Sequence, residues 1–110
     1  MITIKVVRAK DDNVVSFEMS GHANAGPYGQ DIVCAGASAV SFGTVNAIEK
    51  LCNVQLEVDM NDDGGFLRCT VPDGLDVQLF EKVQLLLEAM IVSLTSIAEQ
   101  YGEHMKILEK

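Results

Sequence analysis

The sequence predicts an α+β sandwich of order ββαββαβ, with two helices packed on a largely antiparallel five-stranded sheet. Short stretches of alternating apolar and polar residues come in two pairs, each joined by a turn rich in Asp, Asn or Gly, which is the pattern of β-hairpins. After each pair comes a stretch with apolar residues three or four apart, the period of an amphipathic helix. A last alternating stretch closes the chain. Strands that arrive as hairpins with helices between them favour helices laid on an antiparallel sheet over an alternating parallel architecture. With 110 residues, 48% of them hydrophobic, one domain spanning 1–110 and one core are expected.

In the first hairpin Ile2, Ile4 and Val6 alternate with Thr3 and Lys5, and Val15, Phe17 and Met19 alternate with Ser16, Glu18 and Ser20. Asp11-Asp12-Asn13 supplies the turn. Residues 21–33 hold several glycines and Pro27 without a regular period, so they form a loop of a length that is usually functional. From Cys34 onward, small residues give way to Val40, Val45, Ile48 and Leu51, a helical spacing. Gly36 and Gly43 each weaken that helix by about 1 kcal/mol relative to alanine, which points to close packing or ligand approach. The second hairpin alternates Val54, Leu56, Val58 and Met60 with polar residues, turns through Asp62-Asp63-Gly64-Gly65, and returns over 66–71. Pro72-Asp73-Gly74 breaks the chain before a long helix marked by Val83, Leu86, Leu87, Met90, Leu94, Ile97 and Tyr101 and stopped by Gly102. Residues 89–94 are apolar except for Ser93, more than one face against a sheet requires, so this stretch is either deeply buried or a subunit interface. Met105 and Ile107 mark the final strand.

Sixteen acidic residues against eight basic ones give a net charge of −8, with no Lys or Arg cluster to follow a phosphate backbone. Direct nucleic-acid binding is therefore not expected, and a basic partner suits the charge. No run of eighteen apolar residues and no basic start followed by an apolar stretch suggests a membrane span or a signal peptide, so a cytoplasmic location is expected. Three cysteines, Cys34, Cys52 and Cys69, are an odd number in such a chain, which argues for free thiols. Their wide spacing, and that of the two histidines, lacks the paired ligands of a zinc site, and no metal or organic cofactor is expected.

The residues with most chemical promise are His22 and Cys34, twelve positions apart across the glycine-containing loop. If Asp31 is the N-cap, Cys34 is the third helical residue, among backbone N–H groups and a macrodipole that favour a thiolate. His22, at the end of a strand, can aim its ring at a helix terminus as a general base. Backbone N–H groups around Cys34 are then the expected oxyanion donors. Asp31 itself has three readings: a cap alone, an orienting group for His22 or substrate, or a charge that raises the thiol pKa. Ser38, one turn past Cys34 on the same face, is either a small packing residue or a polar contact at the site. Gly26 and Gly29 are possible hinges if the loop moves to admit a ligand. Cys52 and Cys69 read as small hydrophobes, and His104, after the helix stop, as an exposed or capping residue and a reserve base.

Gly21-His22-Ala23, Gly29, Asp31-Ile32-Val33-Cys34-Ala35-Gly36 and Ser38-Ala39 together resemble the signature of the ribosomal-processing cysteine protease family, Prp, and the likeness extends over nearly the whole chain. The resemblance implies a bacterial cysteine endopeptidase that removes a short N-terminal extension from a large-subunit ribosomal protein, cleaving after an aromatic residue. It places the catalytic dyad on His22 and Cys34, gives Asp31 and Ser38 supporting roles, and implies a homodimer. Residues 24–28 and Ala37 depart from the family pattern without removing a reacting group. Two other readings compete: a non-catalytic, ribosome-associated binding module in which Cys34 is merely buried, and a thiol redox sensor. The latter lacks a resolving partner in Cys52, which at about 1.5 Å per helical residue lies roughly 27 Å away.

Overall fold

The computed structural model describes residues 1–22, 26, 31–62 and 65–110. Five strands and two helices follow in the expected order: β1 (Ile2–Arg8), β2 (Val14–Ser20), α1 (Ile32–Cys52), β3 (Glu57–Met60), β4 (Phe66–Thr70), α2 (Val77–Gln100) and β5 (Met105–Glu109). The sheet order is β3-β4-β2-β1-β5, antiparallel throughout except for the parallel β1–β5 pair. Both helices lie on one face. There Ile2, Ile4, Val6, Phe17, Met19, Leu67, Cys69 and Met105 of the sheet meet Val33, Ala37 and Ile48 of α1 and Val83, Leu87, Met90 and Leu94 of α2. The opposite face is polar, with Arg68 paired to Glu18 at 2.6 Å and stacked over the Phe66 ring.

Two strands depart from simple alternation. The β1–β2 register shifts between Val7 and Arg8, so that Val7 faces Ser16 while Arg8 faces Val14. Val15 is the extra residue of this bulge and stands 40% exposed, while Val14 takes the core position the alternation assigned to Val15. Gln84 of α2 secures the bulge: its buried amide accepts from the Val14 N–H at 2.7 Å and donates to the Val14 carbonyl at 2.8 Å. β3 begins three residues later than the pattern suggests. Val54 and Leu56 are buried ahead of the strand, whereas Val58 and Met60, inside it, are 44% and 59% exposed. The reason is position, since β3 is the edge strand on the side away from α2.

α1 starts two residues earlier than Cys34 because Asp31 caps it, and it ends on Asn53 in the left-handed conformation. By length and mean hydropathy it is the one helix among the described residues that could cross a membrane. Its Val33, Ala37, Ser41, Ile48 and Cys52 are instead buried in this fold. Leu51, expected inside, is exposed. At the other helix, Arg8 holds Glu88 of α2 through two hydrogen bonds of 2.7 and 2.9 Å and reaches Glu109 of β5 at 3.0 Å. The hydrogen bond from Arg8 holds the Glu88 carboxyl below its ordinary range.

Candidate active site

His22 is carried by the end of β2. Gly21 precedes it with φ +85°, and a side chain there would run into the backbone carbonyl of Met1. Only glycine combines that torsion with that contact. The Gly21 N–H donates to the Gly65 carbonyl at 3.0 Å, and the N-terminal ammonium donates to the His22 carbonyl at 2.6 Å. The backbone that presents the imidazole is thus tied to both neighbouring strands, and the side chain is exposed. His104 belongs to the same end of the sheet, its carbonyl accepting from the Ile2 N–H at 2.8 Å.

Cys34 is the third residue of α1 and is half-buried, packed against the core. Asp31 caps the helix with one carboxyl oxygen, accepting from the N–H of Val33 at 3.1 Å and of Cys34 at 3.0 Å. Its carbonyl takes the Ala35 N–H at 3.0 Å. These bonds bear on the N–H groups around Cys34 expected as oxyanion donors, since Asp31 already engages the donors of residues 33, 34 and 35. Ser38 follows one turn later, half-buried, on the flank of the helix that carries Cys34. Of the predicted hinge glycines, Gly26 is exposed, and Gly29 lies outside the described residues, as do 23–25, 27, 28 and 30.

Topology brings His22 and Cys34 to one end of the molecule. β2 runs toward Ser20 and His22, and β3 starts at Glu57 in the row of Thr70 and Ser16, at the opposite end. The end of α1 connects to β3 through only residues 53–56, so α1 must begin near the His22 end and run back across the sheet. Ser41, midway along it, donates its hydroxyl to the Met19 sulfur at 3.9 Å, one row from the end of β2. Strand-borne His22 and helix-borne Cys34 therefore share an end. Ser41, fully buried, was not singled out by its sequence context, because a serine among small helical residues carries no distinguishing pattern.

The other cysteines are placed as hydrophobes. Cys52 and Cys69 are buried, and burial pushes the Cys69 thiol up to about 11. Among the described residues no three His, Cys, Asp or Glu side chains converge as metal ligands would.

Residues 1–106 match the family described as cysteine protease Prp. The chain is 43% identical over 107 residues to the ribosomal processing cysteine protease Prp of Bacillus subtilis, covering 97% of this chain and 96% of that one. It is 40% identical to the protein of the same name from Staphylococcus aureus, covering 97% of each. Among solved structures, the fold matches that of an essential ribosomal processing protease Prp from S. aureus in complex with a covalently linked product peptide. That match has a TM-score of 0.92 at 40% identity and covers all of both chains. The same S. aureus protease in complex with a substrate peptide matches with a TM-score of 0.86 at 39% identity, again over the full length of both.

Proposed function

This chain belongs to the cysteine protease Prp family, and from that premise we propose that it removes the N-terminal extension of a large-subunit ribosomal protein precursor, in the cytoplasm, with Cys34 as nucleophile and His22 as base. The observation that carries the dyad is the delivery of a strand-end imidazole and a helix-start thiol to one end of the sheet by separate, well-anchored elements. A covalently linked product peptide on a 40% identical relative is what nucleophilic catalysis would leave behind.

In this mechanism His22 takes the thiol proton, and the Cys34 sulfur adds to the scissile carbonyl carbon. The tetrahedral adduct collapses as the C–N bond breaks and the imidazolium protonates the departing amine, leaving a thioester. Water, deprotonated by His22, then attacks the thioester; the C–S bond breaks, and the carboxylic product and the thiol are released. The oxyanion requires donors other than the amides of Val33 and Cys34, which Asp31 holds. The Ser38 hydroxyl, on the Cys34 flank, is the side-chain group best placed in the sequence of the helix to serve there, and Asp31 fixes the helix start that positions the thiol.

A homodimer would use the outer surface of the helix layer. Leu85 and Val92 of α2 are 71% and 67% exposed there. They stand beside a shallow trough of about 300 Å³ whose lining includes Ala39, Gly43, Ala47, Ala89 and Ser93.

The decisive experiment incubates the protein with the extended precursor and follows the products by mass spectrometry. Wild type is expected to release the extension. Cys34→Ala and His22→Ala should each lose at least a hundredfold in rate while keeping the wild-type circular dichroism spectrum, in line with the size of general-base effects of about 10²–10⁴. Binding without cleavage by wild type would instead identify a binding module.

A further inference from the structure

The geometry points to the edge of β3, unpaired by any other strand among the described residues, as a docking strand for the peptide substrate, a reading that rests on the protease function above and adds where the chain beyond the cleaved bond is held. α1 shows its two flanks clearly. Val40, Gly43, Thr44 and Ala47 line the trough against α2, and Gly36 approaches Ile97 of that helix. Cys34, Ser38 and Val45 fall roughly half a turn around the helix from that row, at 100° per residue. α2 lies toward β5, through the Arg8–Glu88–Glu109 contacts, so the Cys34 flank of α1 faces the other edge of the sheet, where β3 lies.

β3 is built as an available edge. The Asn61 N–H donates to the Phe66 carbonyl, which makes Asn61, Asp59 and Glu57 the residues bonded to β4 and turns the N–H and C=O groups of Val58 and Met60 outward. The side chains of Val58 and Met60 share the helix-side face with Cys69 and Leu67, their partners on β4, yet are about half exposed because α1 does not extend over them. Glu57 and Asp59 point to the opposite face, and Asp62 follows at the end nearest the site. An extended segment added to this edge would lay alternate side chains on Val58 and Met60 and the intervening ones beside Glu57 and Asp59. Its complement is a peptide alternating apolar with basic residues.

A second copy of β3 is the poorer occupant, since self-pairing across this edge would bring acidic side chains against acidic ones. A peptide paired to β3 lies one strand spacing, about 5 Å, outside it. We assign a link of three to five extended residues, about 10–17 Å long, between this docked segment and the bond held at the Cys34 flank of α1. The docked residues are therefore separated by that number from the cleaved bond.

The test uses the full-length protein in the Cys34→Ala background and a fluorescein-labelled synthetic peptide spanning the precursor extension and the first residues of the mature protein, read by fluorescence anisotropy. Val58→Pro removes an outward N–H without breaking a bond to β4, and Met60→Lys places a cation on the apolar side of the edge. Each is expected to weaken binding at least tenfold with an unchanged thermal midpoint, and a peptide trimmed to three residues on either side of the cleaved bond should lose the same factor. Parent-like affinity in both variants overturns the docking strand, and so does conversion of a dimer to a monomer by Val58→Pro with peptide affinity unchanged. Cleavage by the Cys34-containing protein is scored separately. Binding sensitive to Val58→Pro without any cleavage supports the docking strand and overturns the protease reading, and the absence of both overturns both.

Discussion

Gly21 is the residue on which the presentation of His22 depends most directly. Its φ of +85° lies where an alanine would cost about 1–2 kcal/mol from torsion alone. The added Cβ would also meet the Met1 carbonyl, a backbone group with little room to move. Gly21→Ala is therefore expected to lower stability in urea denaturation by at least that amount and to reduce peptide cleavage more than it reduces thiol alkylation at Cys34, because the displaced group is the proposed base. Asp31 shows the complementary case. Capping was legible from an aspartate three residues before the cysteine, but its hold on both the Val33 and Cys34 amides was not, because one carboxyl oxygen can serve one donor or two depending on the torsions of the cap.

At the scale of elements, the β2 bulge and its clamp carry the clearest energetic consequence. Gln84 is buried and satisfies both backbone groups of Val14. Gln84→Leu would leave a buried N–H and a buried carbonyl without their side-chain partner, at about 1–3 kcal/mol for each group left unpaired. The expected outcome is a lower midpoint in urea with an unchanged slope, the signature of lost stability without a change in the surface exposed. The alternation in residues 14–20 pointed to the strand and its buried Phe17 and Met19, but not to the exchange of Val14 for Val15. A bulge is a property of two strands paired, and neither strand alone encodes it. The same holds for β3, whose apolar alternation is real but whose edge position leaves Val58 and Met60 half exposed.

Across the whole molecule, Arg8 joins β1 to α2 and β5, and this cross-link has a pH signature. Its hydrogen bonds hold the Glu88 carboxyl below the ordinary value of 4.5, so the folded state favours the carboxylate more than the unfolded chain does. That contribution is fully present above the ordinary carboxylate range and is lost as the pH falls through the lowered folded value. Glu88→Gln should thus trail wild type in stability at neutral pH by an amount that shrinks on acidification below about pH 4.5 in thermal melts. The gap should stay within about 1 kcal/mol, since the Glu88 side chain is 43% exposed and solvent screens the pair. At the same scale, Leu85→Glu together with Val92→Glu is expected to convert a dimer into a monomer in sedimentation velocity, the charge being placed on exposed apolar positions of the helix layer.

Element order, the helix stripe of α2 and the cysteine–histidine pair are written in local periodicity and spacing, because hydrophobic period and capping chemistry act over a few residues. The resemblance read around His22 and Cys34 is equally local, and the family it names is the one whose model matches residues 1–106. Only the tertiary structure decides that α1 runs back from the His22 end and that its Cys34 flank faces β3 rather than α2. Those facts depend on which strand lies at which edge and which helix lies beside which, and residues far apart in sequence settle them through packing that no single stretch contains.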